Sequence, residues 1–128
     1  MKLLLDTHAL LWWAHEPEEL SDAAREAIAN GENEIFVSAV SAMEISTKNR
    51  VGRLEYPSSL ADNFLQLISE FGFQPLSVSC AHAERAGNMA GKHRDPWDRL
   101  LAAQAQIEQM PLITVDPRMS DWDVQIIW

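Results

Sequence analysis

Two short apolar runs, Leu3-Leu4-Leu5 near the start and Leu112-Ile113-Thr114-Val115 near the end, each stop at an aspartate, Asp6 and Asp116. Both read as buried strands, and what lies between them alternates strand-like with helical patterns. Residues 34–38, 75–79 and 124–127 supply three further strands. A helical stretch carrying Trp12 and Trp13 follows the first strand. A second helix runs from Ser21, its N-cap, to Asn30, with Gly31 past its end. Helices are also expected over 39–49, 81–90 and 96–109. Residues 59–71 place Leu60, Phe64, Leu67, Ile68 and Phe71 at core spacing, with Gly72 closing that helix. Strands alternating with helices imply α/β layering around a mostly parallel sheet. In such a sheet, ligands bind beyond the carboxyl ends of the strands, where Asp6 and Asp116 fall.

The 128 residues fit one domain, 1–128, with an apolar fraction of 47% that suits a packed core and not disorder. Cys80 is the single cysteine, so no intrachain disulfide forms, which fits a reducing, cytoplasmic setting. No segment approaches the length of a membrane span, and Asp6 and His8 interrupt the apolar N-terminus too early for a signal peptide. The net charge of −9 argues against simple electrostatic binding to nucleic acid. The basic residues are uneven, however. Lys48, Arg50 and Arg53 follow Glu44, while Lys92, Arg94 and Arg99 surround Asp98. Such groups hold phosphates, or they are solvated charges at helix ends.

Asp6, Glu44, Asp98 and Asp116 are the candidate site residues. Each has a purely structural reading. Asp6 caps the helix after its strand, and Asp116 before Pro117 starts a turn. With Asp95 as N-cap and Pro96 at the first helical position, Asp98 completes an acidic capping box. Ser41-Ala42-Met43-Glu44 is a capping-box pattern as well. Strand 34–38 ends at Ser38, though, which makes Ser38 the cap and leaves Glu44 in the second turn. There it sits among Ala42, Met43 and Ile45, and a partly buried carboxylate is costly unless a partner or a cation relieves it. Carboxylates gathered at a sheet edge repel one another unless a hard cation with oxygen ligands sits between them. No Cys/His cluster points to zinc, which leaves Mg²⁺ or Mn²⁺ as the expected ion.

The ordered segments LLLDTHALLW, SAVSAMEIS, HRDPWDRLLAAQA and LITVD resemble the PIN-domain family across essentially the whole chain, with the toxins of bacterial toxin–antitoxin pairs as the nearest subgroup. The resemblance implies a three-layer α/β/α sandwich. It matches the family's four acids to Asp6, Glu44, Asp98 and Asp116, with Asp6, Asp98 and Asp116 as metal ligands and Glu44 as ligand or water-orienting group. It matches the hydroxyl near the last acid to Thr114, and Thr7 follows the first acid as in many members. Implied with it are metal-dependent hydrolysis of RNA leaving a 5′-phosphate and a 3′-hydroxyl, an antitoxin partner, and a homodimer. Thr7, His93, Arg94, Arg99 and Thr114 are the expected substrate contacts, His93 because it lies in the basic segment before Asp98. Asp95 is an extra acid beside the motif. The other histidines read as packing or surface residues, and Trp12 and Trp13 as core or interface.

Other readings keep part of this picture. A housekeeping nuclease of the same family would keep the site without the antitoxin. A receiver-type signalling domain also uses carboxylates at strand ends, but it needs an acidic pair after the first strand and a Lys after a late one. Here one acid follows the first strand and no Lys lies near Asp116. A binding module with a dead site is disfavoured by the intact acids.

Overall fold

The computed structural model describes residues 1–55 and 57–128. Five strands, β1 (Lys2–Leu5), β2 (Glu34–Ser38), β3 (Gln74–Leu76), β4 (Leu112–Ile113) and β5 (Ile126–Ile127), form one sheet in the order β3-β2-β1-β4-β5. Every pairing among them is parallel. Among the described residues, six α-helices connect them: α1 (Thr7–His15), α2 (Asp22–Ala29), α3 (Ala39–Arg50), α4 (Phe64–Glu70), α5 (Cys80–Asn88) and α6 (Pro96–Glu108). Alternate residues of the central strands feed two cores. Leu3, Leu5, Ile35, Val37 and Ile113 pack with Leu10, Ile28, Ile45 and Ile68. Leu4 and Leu112 point the other way, onto Leu101, Ala105, Met119 and Trp122. Burial on both faces explains why Leu3-Leu4-Leu5 shows no polar alternation. The result is the α/β/α sandwich that the sequence implied.

Register decides where the site lies. Leu5 is paired with Val37 on one side and with Ile113 on the other. The carboxyl ends of β1, β2 and β4 are therefore level, and Asp6, Ser38 and Thr114 all follow at the same edge. The chain runs outward from β1 to β2 and β3, then returns across the sheet to β4. The order thus reverses between β1 and β4, the kind of crevice where open α/β sheets bind ligands. It also differs from the receiver-type order, in which β1 lies between β2 and β3.

Element boundaries depart from the sequence reading in several places, among them the last strand, expected over 124–127 and found at Ile126–Ile127. The expected helix over 59–71 is a 3₁₀ turn, Ser59–Ala61, followed by the separate helix α4. Leu60 and Ile68 are still buried, so apolar spacing located the face but not the break at Asp62 and Asn63. Strand 75–79 shrinks to Gln74–Leu76, because Ser79 leaves it to cap α5. Strand 112–115 ends at Ile113, where the Thr114 hydroxyl turns to side-chain work described below. As expected, Ser21 and Ser38 cap α2 and α3, each accepting a backbone N–H at 3.0 Å.

Candidate active site

Asp6 caps α1 from the carboxyl edge of the sheet. Its Oδ1 accepts the Ala9 N–H at 2.8 Å, satisfying a donor that the first turn of α1 leaves unpaired. Its Oδ2 accepts the Thr114 hydroxyl in a short hydrogen bond. Thr114 is fully buried and also accepts the Asp116 N–H at 3.1 Å, so one hydroxyl ties the end of β1 to the loop after β4. Burial pushes the Asp6 carboxyl above its ordinary value. The Thr114 and Ala9 hydrogen bonds and the charge of His8 oppose that rise, and Glu44 adds to it. Thr7 next to it is also buried. Its hydroxyl lies 2.8 Å from that of Ser41, which joins α1 to α3.

Glu44 is 7% exposed, as its place among apolar neighbours suggested. Its charge is met by Lys48 one turn later, Nζ to Oε2 at 2.6 Å. That i,i+4 spacing was visible in the sequence. Lys48 is therefore a partner of Glu44, where the sequence offered a phosphate contact or a solvated helix end.

The second group of acids gathers where α6 begins. Asp95 caps α6, accepting the Trp97 N–H at 2.9 Å, and Pro96 follows at the first helical position. Asp98 turns away from the cap. Its Oδ2 meets His93 Nε2 at 2.8 Å. Ligand atoms of His93, Asp98 and Asp116 all lie within 4.8 Å of one another. Asp98 is pushed up to about 6, by burial first and then by the negative charge of Asp95, with His93 holding it back. Asp116 moves the other way. Arg118 grips it with its backbone N–H and a bidentate guanidinium, Nη2 to Oδ2 at 2.8 Å, and these bonds hold the carboxyl below its ordinary value. Three ligand-bearing side chains this close, two of them carboxylates, suit a divalent cation. Arg118 is the counter-charge that the sequence reading missed; the Asp-Pro-Arg spacing was its only signal.

The expected substrate contacts divide. Arg94 is exposed in a cleft of about 490 Å³, with Lys92, His93, Arg118 and Trp122 around it. The hydroxyls of Thr7 and Thr114 are buried and hydrogen-bonded inside the protein. Arg99 is engaged inside the protein as well. Its guanidinium donates to the carbonyls of Ala86, Met89, Gly91 and His93 and lies over the Trp122 ring, which leaves little of it for a phosphate. Among the described residues, no helix is long and apolar enough to cross a membrane.

Comparison with known proteins adds an independent line. The PIN-domain model matches residues 3–124. Ribonuclease VapC22 of Mycobacterium tuberculosis is 32% identical over 121 residues, covering 91% of this chain and 88% of that protein. Among solved structures, VapBC2 from Rickettsia felis, bound to a DNA fragment from its promoter, superposes with a TM-score of 0.71 at 15% identity, covering 98% of this chain and 97% of that one. VapBC-1 from nontypeable Haemophilus influenzae superposes with a TM-score of 0.69 at 18% identity, covering 98% and 96%.

Proposed function

The chain belongs to the PIN-domain family, and from that premise we propose that it is the ribonuclease toxin of a toxin–antitoxin pair, hydrolysing RNA with a divalent metal, Mg²⁺ or Mn²⁺. The observation that carries the chemistry is the convergence of Asp98 and Asp116 at the crevice between β1 and β4, with Asp6 tied to the same edge through Thr114. Bound there, the ion would activate water and offset charge on the scissile phosphate. Asp98 and Asp116 hold it, and Asp6 completes the acidic wall from a fixed orientation. Glu44, one step deeper, orients the attacking water or adds a ligand, with Lys48 balancing its charge. Lys92, Arg94 and Arg118 line the adjoining cleft and give the phosphate backbone a cationic rim on an otherwise acidic molecule. The products are a 5′-phosphate and a 3′-hydroxyl.

The toxin role rests on the relatives, which include a ribonuclease named VapC22 and two VapBC complexes. It brings an antitoxin partner, cytoplasmic action and assembly as a homodimer into the same proposal. An apolar groove between α3 and α4, lined by Ala39, Ala42, Phe64, Leu65 and Pro75, offers a surface for protein contact. Purified protein incubated with a mixed RNA pool tests the enzyme. Cleavage with Mg²⁺ or Mn²⁺ that stops with EDTA is expected, and absence of cleavage with any divalent ion contradicts it. Neutralisation of that cleavage by the product of an adjacent small gene separates a toxin from a housekeeping nuclease.

A further inference from the structure

His93 was expected to touch substrate, yet its surroundings hold it for something else. The imidazole stacks flat on the Trp122 indole, with centroids 5.1 Å apart and planes 6° apart. Trp122 is itself nearly buried, and its Nε1–H donates to the Ala90 carbonyl at 2.8 Å. Arg99 ties down the carbonyls of Ala86, Met89, Gly91 and His93. Gly91 adopts φ +109°, and a Cβ there would lie 3.4 Å from the indole nitrogen, so the loop passes close against Trp122. These contacts fix the plane of the imidazole and the carbonyl behind it. The edge they present, Nε2, faces inward to Asp98 and Asp116. His93 borders the cleft, but its Nε2 is taken up by Asp98 and not left to solvent. The side chain is only 15% exposed, with Nε2 among the carboxylates.

We propose that His93 is a nitrogen ligand of the ion held by Asp98 and Asp116, and that it turns the selectivity of the site from Mg²⁺ toward Mn²⁺ and other first-row transition ions. This rests on the metal-dependent reading above and names a ligand and a selectivity that the four acids alone do not supply. Two ligand bonds of about 2.2 Å reach at most about 4.4 Å across an ion, so a cluster spanning 4.8 Å closes by a few tenths of an ångström. Carboxylates alone suit Mg²⁺ and Mn²⁺ alike, whereas an imidazole favours the transition ions. The Trp122 stack acts as the outer support that holds a ligating ring in place. His8, the histidine beside Asp6, is exposed and packs its ring on Trp12, 5.4 Å between centroids, so it serves as the control.

Full-length protein loaded with substoichiometric Mn²⁺ tests this by electron spin-echo envelope modulation. The wild type is expected to show ¹⁴N modulation from a coordinated imidazole. The modulation persists in His8→Gln and vanishes in His93→Gln. Calorimetric competition should show the Mn²⁺ over Mg²⁺ preference falling about tenfold or more in His93→Gln. Bound Mn²⁺ without ¹⁴N modulation in the wild type, or modulation that survives His93→Gln, overturns the assignment and leaves the nuclease reading standing. The wild-type spectrum decides even if the variant folds poorly. Failure to bind Mn²⁺ at all overturns the metal reading and this ligand with it.

Discussion

The acidic site has two halves that are built differently. Asp6, Thr114 and Glu44 sit where the central strands end and in the helix behind them, Thr114 and Glu44 buried and Asp6 partly so. Each has an internal partner: Thr114 for Asp6, Lys48 for Glu44. His93, Asp98 and Asp116 sit on loops and a helix start, more open, with an exposed arginine over Asp116. In the first half, hydrogen bonds and an ion pair inside the fold oppose the cost of burying the acids. In the second, burial and then the neighbouring Asp95 push Asp98 up to about 6, and Arg118 is a counter-charge exposed to solvent. A fold that pairs its acids internally fixes geometry; acids crowded together with an exposed partner make a seat for a cation.

The sharpest way to break this contrast is to neutralise one acid of the open half. Asp98→Asn should lower single-turnover RNA cleavage by at least about a hundredfold, the scale of a few kcal/mol of lost charge stabilisation. Thermal unfolding of the metal-free variant should show no loss of stability. Near-normal cleavage would move the chemistry to the inner half.

In the inner half, the expected cost is structural. Thr114→Val removes the hydroxyl shared by Asp6 and the Asp116 N–H, leaving both without that partner. Urea unfolding should register a loss of about 1–3 kcal/mol, with cleavage falling alongside it because the two halves lose their common tie. A variant as stable as wild type would show that the tie is weak.

Within the open half, Asp98 and Asp116 differ in pH response. Asp98 titrates near 6 in the folded protein against an ordinary 3.8, so the folded state binds this proton more tightly than the unfolded chain. Its contribution favours folding most below the ordinary value and is lost as pH rises through about 6. Without metal, Asp98→Asn should therefore melt higher than wild type at neutral pH, and the gap should close on acidification. Asp116, held below its ordinary value by Arg118, has the opposite sign: its contribution is present above 3.8 and is lost as pH falls through its depressed value. Because Arg118 is exposed, Asp116→Asn should cost well under about 1 kcal/mol. The smallest effect belongs to Asp95→Asn, within a few tenths of a kcal/mol by thermal melt, since Asn caps as well as Asp. A large loss of activity there with the helix intact would bring Asp95 into the site.

The sequence showed the inner half more clearly than the outer. Asp6 was legible because an unbroken apolar run ended on it, and parallel register then placed the residues after β1, β2 and β4 at one edge. Glu44 was legible by elimination, since Ser38 had already taken the cap. Reading Asp6 and Asp95 as caps or as site acids set up a false choice, because one oxygen of Asp6 caps α1 and leaves the other for a second contact, here Thr114. What could not be read were contacts across the loops. Nothing in the order of residues shows that Arg99 clamps residues 86–93, that Trp122 supports His93, or that Thr114 turns inward. Those depend on where a loop folds back, and apolar periodicity does not encode it. The break in 59–71 was hidden for the same reason: Leu60 and Ile68 keep helical spacing across a turn that is not α-helical.

The most direct test of the division is to locate the ion. Crystals soaked in Mn²⁺ and measured at its absorption edge should show one anomalous peak within coordination distance, about 2.2 Å, of the Asp98 and Asp116 carboxylates, with Arg118 displaced from Asp116. A peak confined to Asp6 and Glu44, with the Asp116–Arg118 pair intact, would contradict the account.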